Sequence, residues 1–145
     1  MALREKLRLV LTIKDSPVKL ALSFAIGVFI GMSPFLGIHT ALGIVCAYLF
    51  RLNKFVTIVG VYITNPWTII PIYTFSTWFG AKLLGIDRVI PSFDWKNITL
   101  SRIVSELGPL LKPFIIGTLS IGFIASLSSF VILYYLIRKK NEVKQ

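Results

Sequence analysis

Acidic side chains are scarce in this chain: 6 Asp and Glu stand against 16 Lys and Arg in 145 residues, a net charge of +10 with histidine neutral. None of the acids falls in the three tracts free of formal charge, Leu20 to Phe50, Phe55 to Ala81 and Pro113 to Ile137. That removes intramembrane aspartyl proteolysis, which needs a carboxylate pair at depth. Cys46 is the only cysteine, so an intramolecular disulfide and a thiolate metal cage are excluded. In its apolar setting Cys46 reads as a small hydrophobe. HExxH, the phosphate loop and the Rossmann glycine pattern are absent as well, so no metal and no cofactor is expected.

What the chain has in abundance is apolar surface. Hydrophobic residues make up 55% of it, more than a soluble domain of this size can hide. The expected fold class is therefore all-α integral membrane: broken or re-entrant helical hairpins, a C-terminal transmembrane helix and interfacial amphipathic helices, all in a single domain over 1–145. The basic residues lie outside the apolar tracts, which suits cytoplasmic segments and anionic head groups. Basic and aromatic residues do not interleave there as they do in single-strand binders, so nucleic acid is not expected as a partner.

The first apolar tract is interrupted by Ser33-Pro34-Phe35-Leu36-Gly37-Ile38-His39-Thr40. As one helix, positions 20 to 50 would measure about 46 Å at 1.5 Å per residue, too long for one ~30 Å crossing and too short for two. Two half-helices with a turn between them fit, giving a broken hairpin over 16–50 with His39 at membrane depth. Ser16 and Pro17 form a helix start, while Arg51 and Lys54 close the hairpin on the side that carries the basic N-terminus. The second tract repeats the design over 55–85, with a break at Thr64-Asn65-Pro66-Trp67 and a further proline at Pro71. Paired interruptions of this kind point to a site built from broken helices.

The flanking segments complete the plan. Residues 1–15 put Leu3, Leu7, Val10 and Leu11 on one face of an interfacial basic helix, and lack the long apolar core of a signal peptide. Residues 86–112 read as a charged loop and an amphipathic helix. Residues 113–137 make the clearest span, stopped by a basic tail over 138–145. With both termini cytoplasmic, one hairpin, one kinked crossing and the final helix satisfy parity. The five basic residues from Lys82 to Lys112 then fall outside, against the usual charge bias.

Two helix N-termini directed into one site would favour an anion. Ser33, His39, Thr40, Asn65 and Thr68 are the candidate polar contacts, and Phe35 and Trp67 the candidate lining for an acyl or isoprenoid chain. Ser23, Gly27 and Gly31 recur every four residues and form a close-packing face. His39 with Ser126, Ser128 or Ser129 would give a serine hydrolase dyad, the remotest of the readings.

At these residues the chain resembles a bacterial membrane-protein family catalogued as domain of unknown function 2062. The resemblance rests on Ser16-Pro17, Phe24-Ala25-Ile26-Gly27-Val28-Phe29-Ile30-Gly31, Ser33-Pro34-Phe35 with Gly37 and His39-Thr40, Leu52-Asn53, and Asn65-Pro66-Trp67-Thr68 with Pro71. These pieces cover roughly residues 16 to 85. The resemblance implies a stand-alone membrane module, sometimes joined to glycosyltransferase-type domains, and hence cell-envelope work. It transfers no activity.

The leading expectation is a non-enzymatic inner-membrane protein that binds an anionic membrane lipid or isoprenoid phosphate at two apposed helix breaks, with translocation as the extension. The alternative is a scaffold or anchor that oligomerises, or recruits an envelope-biosynthesis enzyme, through Ser23, Gly27 and Gly31. A homo-oligomer is expected in either case, because so few helices enclose little space.

Overall fold

The computed structural model describes residues 12–35, 37–87 and 107–142, together with residues 5, 9, 10, 99 and 105. Every regular element among them is helical. The expected basic helix over 1–15 and the charged loop and amphipathic helix over 86–112 fall largely outside the described residues.

Helix α1 (Pro17–Met32) starts at Ser16, whose side chain accepts the Lys19 N–H at 3.3 Å, with Pro17 in the position that needs no donor. It stops at Ser33, where Pro34 disfavours further helix. Gly37, in the left-handed region at φ 88°, turns the chain into α2 (His39–Leu49). Asn53 caps α3 (Lys54–Val61) by accepting the Val56 N–H at 3.2 Å.

Residues 62–65 interrupt the second tract, and α4 (Pro66–Leu83) leaves at 68° to α3. Pro71 does not break α4. The bond it removes would have reached the carbonyl of Trp67, in the exposed first turn, where water or a neighbour can replace it. A 3-10 turn (Gly108–Leu110) leads into α5 (Leu111–Glu142), which begins two residues before Pro113. It also continues through the basic stretch after Ile137, where Arg138 Nε meets Glu142 Oε1 at 3.1 Å. The helical stretch Gly108–Glu142 is long and apolar enough to cross a membrane, and α3 and α4 pass the same test only when taken together as one bent pair.

Helix α5 is the spine. Its C-terminal half lies antiparallel to α1: Leu133 and Ile137 share a core with Leu20, the Ser126 hydroxyl donates to the Ala25 carbonyl at 2.8 Å, and Gly122 lies beside Met32. Its N-terminal half takes α4, with Tyr73 edge-on to Phe114 at a centroid distance of 5.0 Å. Helix α1 thus ends about a third of the way along α5 from its start. Helix α3 packs on α1, and α2 rests mainly on α3.

Two crossings bring backbone against backbone. A Cβ on Gly27 would overlap the Thr57 carbonyl oxygen, and one on Gly60 the Phe24 carbonyl oxygen. Where α4 meets α5, a Cβ on Gly117 would strike the Ser76 carbonyl oxygen, and one on Gly80 that of Pro113. Approach this close gives the dispersion contact that holds helices together without a core of large side chains.

A carbonyl in a packed helix cannot swing aside, so Gly117→Ala is expected to lower stability by about 3 kcal/mol. Gly108→Ala, with nothing within 4 Å of the added Cβ, should change it by less than about 0.5 kcal/mol. Thermal unfolding of the two purified variants beside wild type measures the difference.

Candidate functional site

The end of α1 leaves carbonyls without helical partners. The second tract satisfies two groups at this end: Thr64 Oγ1 donates to the Gly31 carbonyl at 2.7 Å, and the Tyr73 hydroxyl donates to the Ser33 carbonyl at 2.9 Å. Thr64 also reaches the Val61 carbonyl at 3.1 Å, closing the end of α3 with the same hydroxyl. These bonds place the α1–α2 turn against the α3–α4 break.

Between the two breaks opens a cleft of about 430 Å³. Val61, Ile69 and Ile70 give it apolar walls, and His39, Thr40, Thr64 and Asn65 supply polar groups. His39 Nε2 is buried and has no hydrogen-bond partner among the described residues. It sits on the first residue of α2, a helix whose N-terminus has no side-chain cap. His39 and Thr40, the first two residues of α2, thus both border the cleft.

The N-terminus of α4 is different. Asn65 Oδ1 accepts the N–H groups of both Trp67 and Thr68 at 3.0 Å, and Thr68 Oγ1 accepts the Asn65 N–H at 2.9 Å. This reciprocal capping box occupies the donors that an anion would use. The expectation of two helices with free amides is corrected accordingly: α2 alone offers them, and α4 contributes its dipole and the Asn65 side-chain amide.

Of the expected polar contacts, His39, Thr40 and Asn65 come together in the cleft, while Thr68 serves the capping box beside it. Ser33 is buried with its hydroxyl donating back to the Ile30 carbonyl at 2.6 Å, and it does not line the cleft. Phe35 and Trp67 do not line it either, and Trp67 is 90% exposed. Ser23, Gly27 and Gly31 are buried in the chain's own contact with α3, where Ser23 Oγ accepts the Asn53 N–H at 2.9 Å, so this face is not open to a second chain. Ser126 and Ser129 donate to the carbonyls of Ala25 and Ser126, and no serine pairs with His39 among the described residues.

Sequence reasoning missed the cleft walls and Tyr73. Ile69 and Ile70 lie one helical turn beyond Asn65 and Pro66, a spacing that would have pointed to them. Nothing local marks Tyr73, because its partner Ser33 is 40 positions away.

Over residues 1–145 the chain matches the model of a family described as an uncharacterized protein conserved in bacteria (DUF2062). The match takes in the 86–112 segment and the basic tail, which the motifs quoted above leave uncovered. No curated protein and no solved structure matches.

Removing the cap with Asn65→Ala should cost about 1 kcal/mol of stability, whereas Asn65→Asp, which keeps the accepting oxygen, should stay within about 0.5 kcal/mol of wild type. Chemical or thermal unfolding of the two variants separates these outcomes.

Proposed function

The chain belongs to the bacterial family DUF2062, whose description carries no activity, and from the cleft we propose that it is a small inner-membrane protein that binds an anionic lipid or lipid-linked phosphate between its two helix breaks. The observation that carries this reading is the buried, unpartnered Nε2 of His39 beside the uncapped N-terminus of α2. A buried polar atom without a partner is costly, and a ligand oxygen is what would relieve it. The helix dipole and free amides add a preference for negative charge. The apolar walls formed by Val61, Ile69 and Ile70 suit a hydrocarbon chain attached to that charge.

In this reading α5 is a full span, α3 and α4 together form a second, bent one, and α1 with α2 is a re-entrant hairpin. Support comes from the level of Met32 beside Gly122, about a third of the way along α5 from its start, and from large apolar side chains on the outer faces, among them Tyr48, Ile70, Phe123 and Ile132. Polar turns at membrane depth are tolerated only against protein or a polar cavity, which is the setting of Ser33 and Asn65 here. Lys14, Lys19, Arg51, Lys54 and the Arg138–Lys140 run then mark the cytoplasmic side, with both termini. Translocation of the bound lipid is the extension of this function.

Two measurements test it. In native mass spectrometry of the detergent-solubilised protein with added isoprenyl phosphate, wild type should retain the lipid and His39→Ala should retain roughly tenfold less, a loss of about 1.4 kcal/mol. Equal retention by the two would overturn the site. For translocation, liposomes carrying wild type should move labelled isoprenyl phosphate between leaflets faster than empty liposomes, and an equal rate would leave binding alone.

A further inference from the structure

The turn between α2 and α3 has a second, separate cavity, of about 490 Å³, lined by Tyr48, Leu49, Arg51, Leu52 and Lys54 together with Ala47. Arg51 and Lys54 give it two cations. Neither is within ion-pair reach of a carboxylate among the described residues. Asp15, the acid that meets the Asn53 side chain in this turn, is already committed: it lies 3.1 Å from Lys19 Nζ and accepts the Ser16 N–H at 3.0 Å. The Lys54 ammonium lies over the face of Tyr48, 5.6 Å from the ring centroid, and has no hydrogen-bond acceptor among the described residues.

Arg51 is also held in an unfavourable conformation. Helix α2 ends in a Schellman turn, with Leu52 N–H donating to the Ala47 carbonyl at 2.9 Å and Arg51 N–H to that of Tyr48 at 3.3 Å. Arg51 occupies the left-handed position at φ 52°, the only residue other than glycine with positive φ among those described. Glycine is the residue this position favours, since a Cβ is strained there. An arginine in glycine's place, unpaired and lining a cavity with a second cation, is an arrangement that local folding preference does not select.

We propose that this turn is a second anion site, which holds the phosphodiester of an anionic glycerolipid between Arg51 and Lys54. The guanidinium presents paired donors that match two phosphate oxygens, and the ammonium adds a point charge. The lipid source follows from the flanks: Tyr48 is 72% and Leu49 67% exposed beside the cations, giving acyl chains an apolar surface that a free phosphate would not use. The cavity lies at the end of the molecule where Lys19 and the start of α1 meet the turn, through the Asn53 to Ser23 bond. This assignment rests on the membrane reading above but not on the His39 cleft, which lies at the opposite end of α2.

The test uses purified full-length chain in neutral detergent with equal amounts of dioleoyl phosphatidylglycerol and dioleoyl phosphatidylcholine, read by native mass spectrometry. His39→Ala, with the cleft site removed, should still prefer the anionic lipid by roughly tenfold, and adding Arg51→Gln and Lys54→Gln in that background should abolish the preference. Arg51→Gly, added to His39→Ala, is the sharper variant: relief of the backbone strain should raise the melting temperature by about 2–4 °C over His39→Ala while the preference is lost. Retention of the preference by Arg51→Gly in the His39→Ala background would overturn the proposal. Equal binding of the two lipids by wild type would do the same, and displacement of the glycerolipid by an equal concentration of inorganic phosphate would overturn the lipid assignment. Loss of the preference in His39→Ala alone would overturn the proposal and assign the anion to the cleft.

Discussion

Backbone lies directly on backbone where α1 crosses α3 at Gly27 and Gly60, and the position of everything near the cleft follows from that contact. With no side chain between them, the two helices run close enough for Thr64, just past the end of α3, to reach the Gly31 carbonyl near the end of α1. One helix ends where the other breaks, and the polar groups freed by each interruption are within reach of the other. Spacing the helices with an alanine or a serine at Gly27 would separate the breaks and strand their carbonyls. The equivalent contact between Gly80 and Gly117 holds α4 to the N-terminal half of α5, and so keeps Tyr73 in place for Ser33.

The two helix N-termini near the cleft are chemically unequal, and this gives the site its direction. At α4 the amides are used by Asn65 and Thr68, a closed arrangement that stabilises the helix whether or not a ligand is present. At α2 the cap position is Ile38, which has no side-chain acceptor, and the imidazole of His39 ends in an unpartnered nitrogen. One terminus is therefore structural and the other is open. In the proposed reading an acceptor ligand gains most at the open one, because the donors there have no side-chain partner among the described residues.

Charge and apolar surface are also separated along the molecule. The described basic residues at the start of α1, at the α2–α3 turn and at the end of α5 gather at one end, whereas the middle of the molecule is uncharged. Both candidate ligand positions follow this division. One is a polar break inside the uncharged zone, where His39 Nε2 is buried. The other is at its basic border, where paired cations meet exposed Tyr48 and Leu49.

Helix class, the position of both breaks to within three residues, and the caps at Ser16 and Asn65 are legible in the sequence, because each depends on neighbours within one helical turn. The same holds for His39 as the residue to watch, since a histidine in an uncharged tract is anomalous without any knowledge of the fold. Pro71 misleads for the complementary reason: proline signals a break locally, but near the start of an exposed helix the bond it removes is replaceable. What folding alone settles is who meets whom. The pairing of Gly27 with Gly60 and of Gly80 with Gly117, the bond from Tyr73 to Ser33, and the burial of Ser23 and Gly31 inside the chain instead of at an outer face all join residues some 30 or more positions apart. No local pattern encodes such contacts, because a small residue allows close approach without specifying the partner that makes it.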